Sequence, residues 1–272
     1  PGSSGAKTVI TVAHGAPTLY YYCNVHSGMG GQADTTETHG STNVKGSIQS
    51  VVSANQDAGF SIVTYTGVGT AGNTYGHGLN STPEIVITKG RETAYNWTVY
   101  HSGIASDAET DYLVLDSTNA AADLNTVWND TAPTNSVITV GNFGRVNASS
   151  QDYVSYCFHS VEGYSKVGSY VANGNANGTF VYTGFRPAWI IFKNSTSTEA
   201  WSVFDSVRDP SNDDASQMLL ASSSAVEASG SNDVDFLSNG FKVRTTNNPN
   251  TSGQTYIYLA FAEAPFKFAN AR

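Results

Sequence analysis

Residues 147–158 read NASSQDYVSYCF, and residues 250–261 read NTSGQTYIYLAF. The two stretches align from an Asn to a closing Phe, and Tyr256 follows its counterpart Tyr153 by 103 residues. Within the first stretch, the residues at 153, 155 and 157 alternate with those at 154, 156 and 158. Such a period of two is typical of an antiparallel strand with one buried face. The stretch therefore predicts a half-buried sheet strand that occurs twice in the chain.

The same duplication extends through the preceding hundred residues. GFSIVTYTGVG (59–69) returns as GYSKVGSYVANG (163–174), and PEIVITK (83–89) returns as PAWIIFK (187–193). Trp97-Thr-Val returns 104 residues later as Trp201-Ser-Val. A period of this length is too long for a solenoid repeat, whose units run to about 50 residues. The pattern indicates two copies of one unit.

Each copy consists of short segments rich in Val, Ile, Tyr and Thr, separated by Gly, Asn, Ser and Pro. The predicted strands are FSIVTYT, PEIVITK, NWTVYH, DYLVLD, SVITVG and YVSYCFH in the first copy, and SKVGSYV, AWIIFK, AWSVFD, QMLLAS, GFKVRTT and TYIYLAFA in the second. One stretch, NAAADLNTVW (119–128), resembles a helix but is poorly capped.

These segments predict an all-β chain with two tandem antiparallel β-sandwich domains of the jelly-roll kind. The domains are expected at 59–162 and 163–272, and a single larger jelly roll to which each copy gives half the strands is the alternative. Only three residues join the copies, so the two units should pack rigidly together. Residues 1–58 are predicted to form an N-terminal hairpin and a linker arm, with one strand at SIQSVVS (47–53) that docks onto a neighbour.

The composition narrows the classes of function. Charged residues make up 13% of the chain, against roughly 25% in ordinary globular proteins, and the net charge is −9. No basic stripe is present, which disfavours nucleic-acid binding. The apolar runs are strand-sized, so the sequence predicts no membrane-spanning helix.

The stretch YYYCNVHSGMGG (20–31) holds the three ligand types of a mononuclear copper site: Cys23, His26 and Met29. It is similar to the last loop of cupredoxins, so a fragment of a copper protein is one hypothesis. A blue-copper site also needs a second imidazole from an earlier strand, and only 22 residues precede Cys23. The alternative is a sheet hairpin with a Gly-rich turn. We expect no bound copper in this chain, and no other cofactor.

Candidate binding and catalytic residues are few. Trp97 and Trp201 are equivalent in the two copies, and an aromatic face of this kind could stack on a sugar. Equivalent tryptophans in mid-strand are, however, more often core anchors. His77, in YGHGL, is predicted to be an exposed turn residue. No catalytic or nucleotide-binding motif is present, which favours a non-enzymatic protein, although paired glycosidase carboxylates need no motif.

Residues 59–272 as a whole resemble a known family. The pattern GFSIVTYTG, TPEIVITK, YVSYCF, TGFRPAWIIFK, DFLSNGFKVR and TYIYLAFAEAPFKFANAR resembles tandem β domains in virion proteins of marine tailed bacteriophages. The resemblance implies lectin-like sandwiches in a structural protein at the virion surface, as a tail fibre, spike or capsid decoration. It also implies a homo-oligomer, a trimer by analogy, with other virion proteins and a host-surface glycan as partners. The alternative functions are the copper protein and a glycan depolymerase.

Overall fold

The computed structural model describes residues 19–22, 30–33, 40–212, 217–228 and 234–264. The chain divides into two compact units, residues 1–41 and 42–272. The first unit contains an antiparallel hairpin of β1 (Leu19–Tyr22) and β2 (Gly30–Ala33), in which Tyr21 lies opposite Gly31.

The remaining strands begin with β3 (Ser41–Asn43) and β4 (Ser50–Asn55). The first sequence repeat contains β5 (Phe60–Thr66), β6 (Asn73–Gly76), β7 (Ile85–Gly90), β8 (Thr98–His101), β9 (Asp111–Val114), β10 (Ala122–Asp123), α1 (Asn125–Trp128), β11 (Val137–Val140), α2 (Gly144–Asn147) and β12 (Asp152–Phe158). The second contains β13 (Ser165–Val171), β14 (Phe180–Tyr182), β15 (Pro187–Asn194), β16 (Ser202–Asp205), β17 (Leu219–Leu220), β18 (Val234–Leu237), β19 (Gly240–Val243) and β20 (Thr255–Ala262).

The prediction of an all-β chain is confirmed: the sheets are antiparallel, and the two described helices have four residues each. Each predicted strand segment contains a strand. Within the repeats the sequence missed β6, β10, β14 and β18. Of these, β6 and β14 lie in stretches rich in Gly and Asn. Such residues are depleted in strands, so pairing within the fold rather than local propensity makes these two segments extended.

The sequence repeat corresponds to a repeat of strand order. The largest sheet has the order β10-β9-β8-β7-β12-β5-β4-β3, and a second sheet has the order β13-β20-β15-β16-β17. Read from β5 to β9, five strands of the first sheet (β5-β12-β7-β8-β9) correspond in order to the five strands of the second (β13-β20-β15-β16-β17). Register matches too, since Phe158 lies opposite Ile85 and Phe261 lies opposite Trp189. Two smaller sheets, β11-β6 and β14-β19-β18, also correspond.

Side-chain hydrogen bonds repeat along with the strands. The hydroxyl of Tyr65 donates to the Val146 carbonyl at 2.6 Å, and the hydroxyl of Tyr170 donates to the Pro249 carbonyl at 2.7 Å. These hydroxyls tie a sheet strand to the segment that precedes the last strand of each repeat, which is the helix α2 in the first repeat and a loop in the second. The shared bonds satisfy buried polar groups that would otherwise cost about 1–3 kcal/mol each.

The predicted docking strand in the N-terminal arm is present as β4, and its partner is β5, with Ser50 opposite Tyr65. Ile48 and Val52 are buried in the core of the first repeat. We refer to residues 42–55 as the strap. The strap lies in the same compact unit as the repeats, because its alternating apolar residues cover the edge of the first repeat. The division of the chain at residues 58 and 162 stays a prediction.

The two repeats pack against each other through their large sheets. On β20, Tyr256 and Tyr258 belong to the core of the second repeat, whereas Ile257 and Leu259 belong to a core shared with the first. The indole N–H of Trp201 donates to the Val114 carbonyl at 2.9 Å. The central sheet of the second repeat is therefore buried on both faces, which explains why β20 is almost continuously apolar.

Candidate functional site

A cleft of about 630 Å³ opens in the second repeat. One wall is the short connection between the repeats and the start of β13, and the other is the turn from β14 to β15. Its lining includes Ser160, Glu162, Lys166, Tyr182, Phe185, Arg186, Ser238 and Glu263. The cleft thus combines aromatic, hydroxyl and charged groups, which is the usual composition of a site for a polar ligand.

The equivalent place in the first repeat is filled by the strap. Gly78 and Gly184 occupy matching turns, with φ of 75° and 87°. A Cβ added to Gly78 would lie 2.4 Å from Val52 Cγ1 and 3.3 Å from Ala54 Cβ, both on β4. A Cβ added to Gly184 would meet nothing closer than the Tyr182 hydroxyl, at 3.6 Å. In the second repeat, no strand among the described residues takes the place of the strap, and the cleft lies at this position.

This difference predicts unequal costs for the same substitution. Gly184→Ala should destabilise the protein by about 1–2 kcal/mol, because alanine is strained at positive φ. Gly78→Ala should cost about 1–3 kcal/mol more, because the new methyl group overlaps the strap. Urea unfolding of both variants measures the difference, and equal losses would show that the strap does not pack tightly at Gly78.

The polar groups of the cleft converge at one end. Arg186 Nε lies 2.8 Å from Glu263 Oε2, and the same guanidinium donates to the Phe236 carbonyl. Tyr182, which lines the same cleft, exposes 65% of its surface, whereas Phe185 is buried. A ring face next to a fixed donor and a fixed acceptor can stack on a sugar ring and hydrogen-bond its hydroxyl groups.

The turn that borders the cleft and its counterpart in the first repeat are each held by a hydrogen bond from a backbone amide to the side chain two residues earlier. The amide N–H of Leu79 donates to His77 Nδ1 at 3.2 Å, and the amide of Phe185 donates to the Thr183 hydroxyl at 3.4 Å. The prediction that His77 is exposed is wrong, because its ring is buried and holds this turn. Burial lowers the pKa of His77 to about 4, so the ring is neutral at pH 7.

The structure does not bring the two predicted sugar-binding tryptophans to one site. They occupy equivalent places before β8 and β16, but Trp201 is only 5% exposed and its indole is hydrogen-bonded inside the core. Trp97 is half-buried and stacks on Tyr156, with ring centroids 6.2 Å apart. Trp201 is therefore a core anchor, the alternative that the sequence left open, and only Trp97 keeps an accessible face.

Cys23, His26 and Met29 lie outside the described residues, so the absence of copper stays a prediction. Across the part of the chain that the structure describes, no group of three or more His, Cys, Asp or Glu side chains could hold a metal ion. Cys157 is a free, buried thiol whose pKa burial raises to about 12. No helix among the described residues is long and apolar enough to span a membrane.

Sequence reasoning missed the cleft residues Tyr182, Arg186 and Glu263. A signal was present: a strand-like segment precedes the first repeat, whereas only residues 159–162 lie between β12 and the second repeat. This connection is too short to supply an equivalent strand. The repeated strand order and register define a β-rich protein in which one structural pattern occurs twice.

The chain belongs to a family defined as a domain of unknown function (DUF7483), whose model matches residues 35–265. The match includes the strap and both repeats. No curated protein and no solved structure matches the chain.

Proposed function

We propose that the chain is a non-enzymatic structural protein at the surface of a bacteriophage particle, where its cleft binds a glycan. The phage assignment is based on the resemblance of residues 59–272, and the role is that of a fibre, spike or capsid decoration. Homo-oligomers are common among such proteins, and other virion proteins are the expected neighbours. The two repeats would then be tandem lectin-like sandwiches, one closed by the strap and one open.

One observation carries the glycan assignment: Tyr182 is exposed at the mouth of the cleft beside the Arg186–Glu263 ion pair. Sugar rings present C–H groups that favour an aromatic face and hydroxyl pairs that match a guanidinium or a carboxylate. The large surface fraction of Ser, Thr and Asn is compatible with weak, repeated adhesion, in which several copies act together.

Titration with neutral and acidic oligosaccharides, followed by NMR, tests the binding. Tyr182→Ala should weaken binding about tenfold, since ring contacts of this kind contribute about 0.5–1.5 kcal/mol. Phe180→Ala is the matched control, because this exposed aromatic residue lies on the same strand but not in the cleft. The glycan assignment is contradicted if the wild type binds no oligosaccharide, or if Tyr182→Ala and Phe180→Ala weaken binding equally.

Three further measurements address the alternative functions and the location of the protein. A depolymerase would lower the viscosity of a polysaccharide solution and release reducing ends, whereas a binding protein would do neither. Antibody labelling in electron microscopy shows whether the protein lies at the surface of phage particles. Stoichiometric copper that disappears in Cys23→Ser would support the copper protein instead.

A further inference from the structure

The two repeats differ at one edge of their large sheets. In the first repeat, β4 of the strap pairs along the outer side of β5 from Ser50 to Asn55. In the second, β13 is the last strand of its sheet, and no strand pairs with its outer side among the residues that the structure describes. The connection between β12 and β13, residues 159–164, is too short to supply a second strap.

The direction of the backbone groups shows which part of β13 is open. Ser165 donates its amide N–H to the Val161 carbonyl at 2.9 Å, and Val167 donates its own to the Ser160 hydroxyl at 3.0 Å. Both bonds point away from β20, so the odd-numbered residues of β13 direct their N–H and C=O groups outward. The connection between the repeats already covers the first residues of this edge. The Val171 carbonyl, at the other end, accepts the Thr179 hydroxyl at 3.2 Å. Between these ends, the Val167 carbonyl, both backbone groups of Ser169 and the Val171 amide have no partner on this side among the described residues.

We call Val167–Val171 the open stretch. Val171, at its end, exposes 62% of its surface, which is unusual for a valine on a strand. Uncovered sheet edges recruit further strands, because pairing satisfies their outward N–H and C=O groups. The first repeat shows this directly, since the corresponding edge of β5 is covered by a strand with alternating apolar residues.

The N-terminal unit of the chain contains a hairpin whose strands could pair with such an edge. The hairpin β1–β2 has four residues in each strand, and Tyr20, Tyr21 and Tyr22 are 77%, 62% and 83% exposed. A two-stranded hairpin is marginally stable by itself in water. Tyr20 and Tyr22 lie on the same face of β1, and two large exposed aromatic residues side by side indicate a surface that another molecule covers.

We propose that the hairpin β1–β2 of one copy adds to the open stretch of a second copy, so that β13 gains a partner strand. The proposal deepens the homo-oligomer put forward under the proposed function. Three observations favour a second copy as the occupant. The strap is already paired within its own first repeat, and the described residues contain no second one. The four-residue strands of the hairpin match the length of the open stretch, and they contain no charged residue whose burial would be costly.

Such a contact joins two different surfaces, the hairpin of one copy and the open stretch of the next. A head-to-tail contact of this type closes into a ring or continues as a filament, rather than forming a two-fold dimer. A ring of three copies would account for a trimeric fibre or spike.

Light scattering after size-exclusion chromatography tests the contact in the full chain. We expect the wild type to be an oligomer, and Val171→Lys to be a monomer with an unchanged thermal midpoint. Val226→Lys is the matched control, because Val226 is 89% exposed but lies away from β13; it should remain oligomeric. A double variant, Tyr20→Ser with Tyr22→Ser, should also be monomeric.

Mixing the two monomeric variants gives the decisive result. The Val171→Lys chain keeps its hairpin and the tyrosine variant keeps its open stretch, so exactly one contact can form between them. The mixture should yield a particle of two chains and no larger species. A monomeric wild type, an oligomer unaffected by either variant, or a mixture that stays monomeric would overturn the proposal. The glycan titration of Tyr182→Ala is independent of these outcomes, so the two proposals can fail separately.

Discussion

Lowering the pH from 6.5 to 4 is expected to reduce the free energy of unfolding by about 3 kcal/mol through His101 alone. The ring of His101 is buried between the repeats, where Nδ1 accepts the Gly103 amide at 2.9 Å and Nε2 lies 3.3 Å from the Tyr258 carbonyl. Both bonds suit a neutral ring with its proton on Nε2. Burial lowers the pKa of His101 from 6.5 to about 4, and each pKa unit corresponds to about 1.4 kcal/mol.

The sign follows from proton binding in the two states. Between pH 4 and 6.5 the unfolded chain protonates this histidine while the folded protein does not, so acid favours unfolding. Below pH 4 both states are protonated and the loss is complete; above pH 6.5 both are neutral and the loss is absent. His77 acts in the same direction, because burial lowers its pKa as well.

Urea unfolding at a series of pH values measures this effect, and two variants isolate it. His101→Gln keeps a donor and an acceptor but cannot titrate, so its stability should fall less steeply than that of the wild type between pH 6.5 and 4. His77→Thr introduces the residue type that Thr183 provides in the second repeat, and it should flatten the curve separately. If His101→Gln and the wild type lose stability in parallel, the buried neutral ring is not the cause.

Trp201→Ala should destabilise the protein by about 4 kcal/mol, whereas Trp97→Ala should cost only about 1 kcal/mol. The two tryptophans are equivalent in sequence, but Trp201 is buried in the core shared by both repeats. Its removal leaves a cavity of the size that costs about 3–5 kcal/mol, and it leaves the Val114 carbonyl without its indole donor. Trp97 keeps one face toward solvent and loses mainly its contact with Tyr156.

Denaturant midpoints and slopes of both variants give the comparison. Trp201→Phe is the control that separates packing from hydrogen bonding: it retains an aromatic ring and should recover roughly half of the loss. If the second repeat did not pack on the first, Trp97→Ala and Trp201→Ala should show similar, small losses of stability. That result would contradict the shared core.

The sequence by itself determined the class of fold and its duplication. The alternation at 153–158 predicted a strand with one buried face. In the structure Tyr153, Ser155 and Cys157 are fully buried, while Val154, Tyr156 and Phe158 are half-buried. Matching spacings predicted two copies of one unit, and strand order and register repeat accordingly. Local patterns suffice here because side chains alternate across a strand whatever it pairs with.

Tertiary structure alone decided which equivalent residues differ in role. Nothing in the sequence around Trp97 and Trp201 distinguishes them, yet one is buried because the sheet of the second repeat is covered on both faces. His77 is buried although it lies in a glycine-rich turn, because the turn folds over the core. The cleft arises because the strap can reach only the first repeat. Burial and edge pairing depend on which surfaces meet across the chain, and a local sequence pattern does not contain that information.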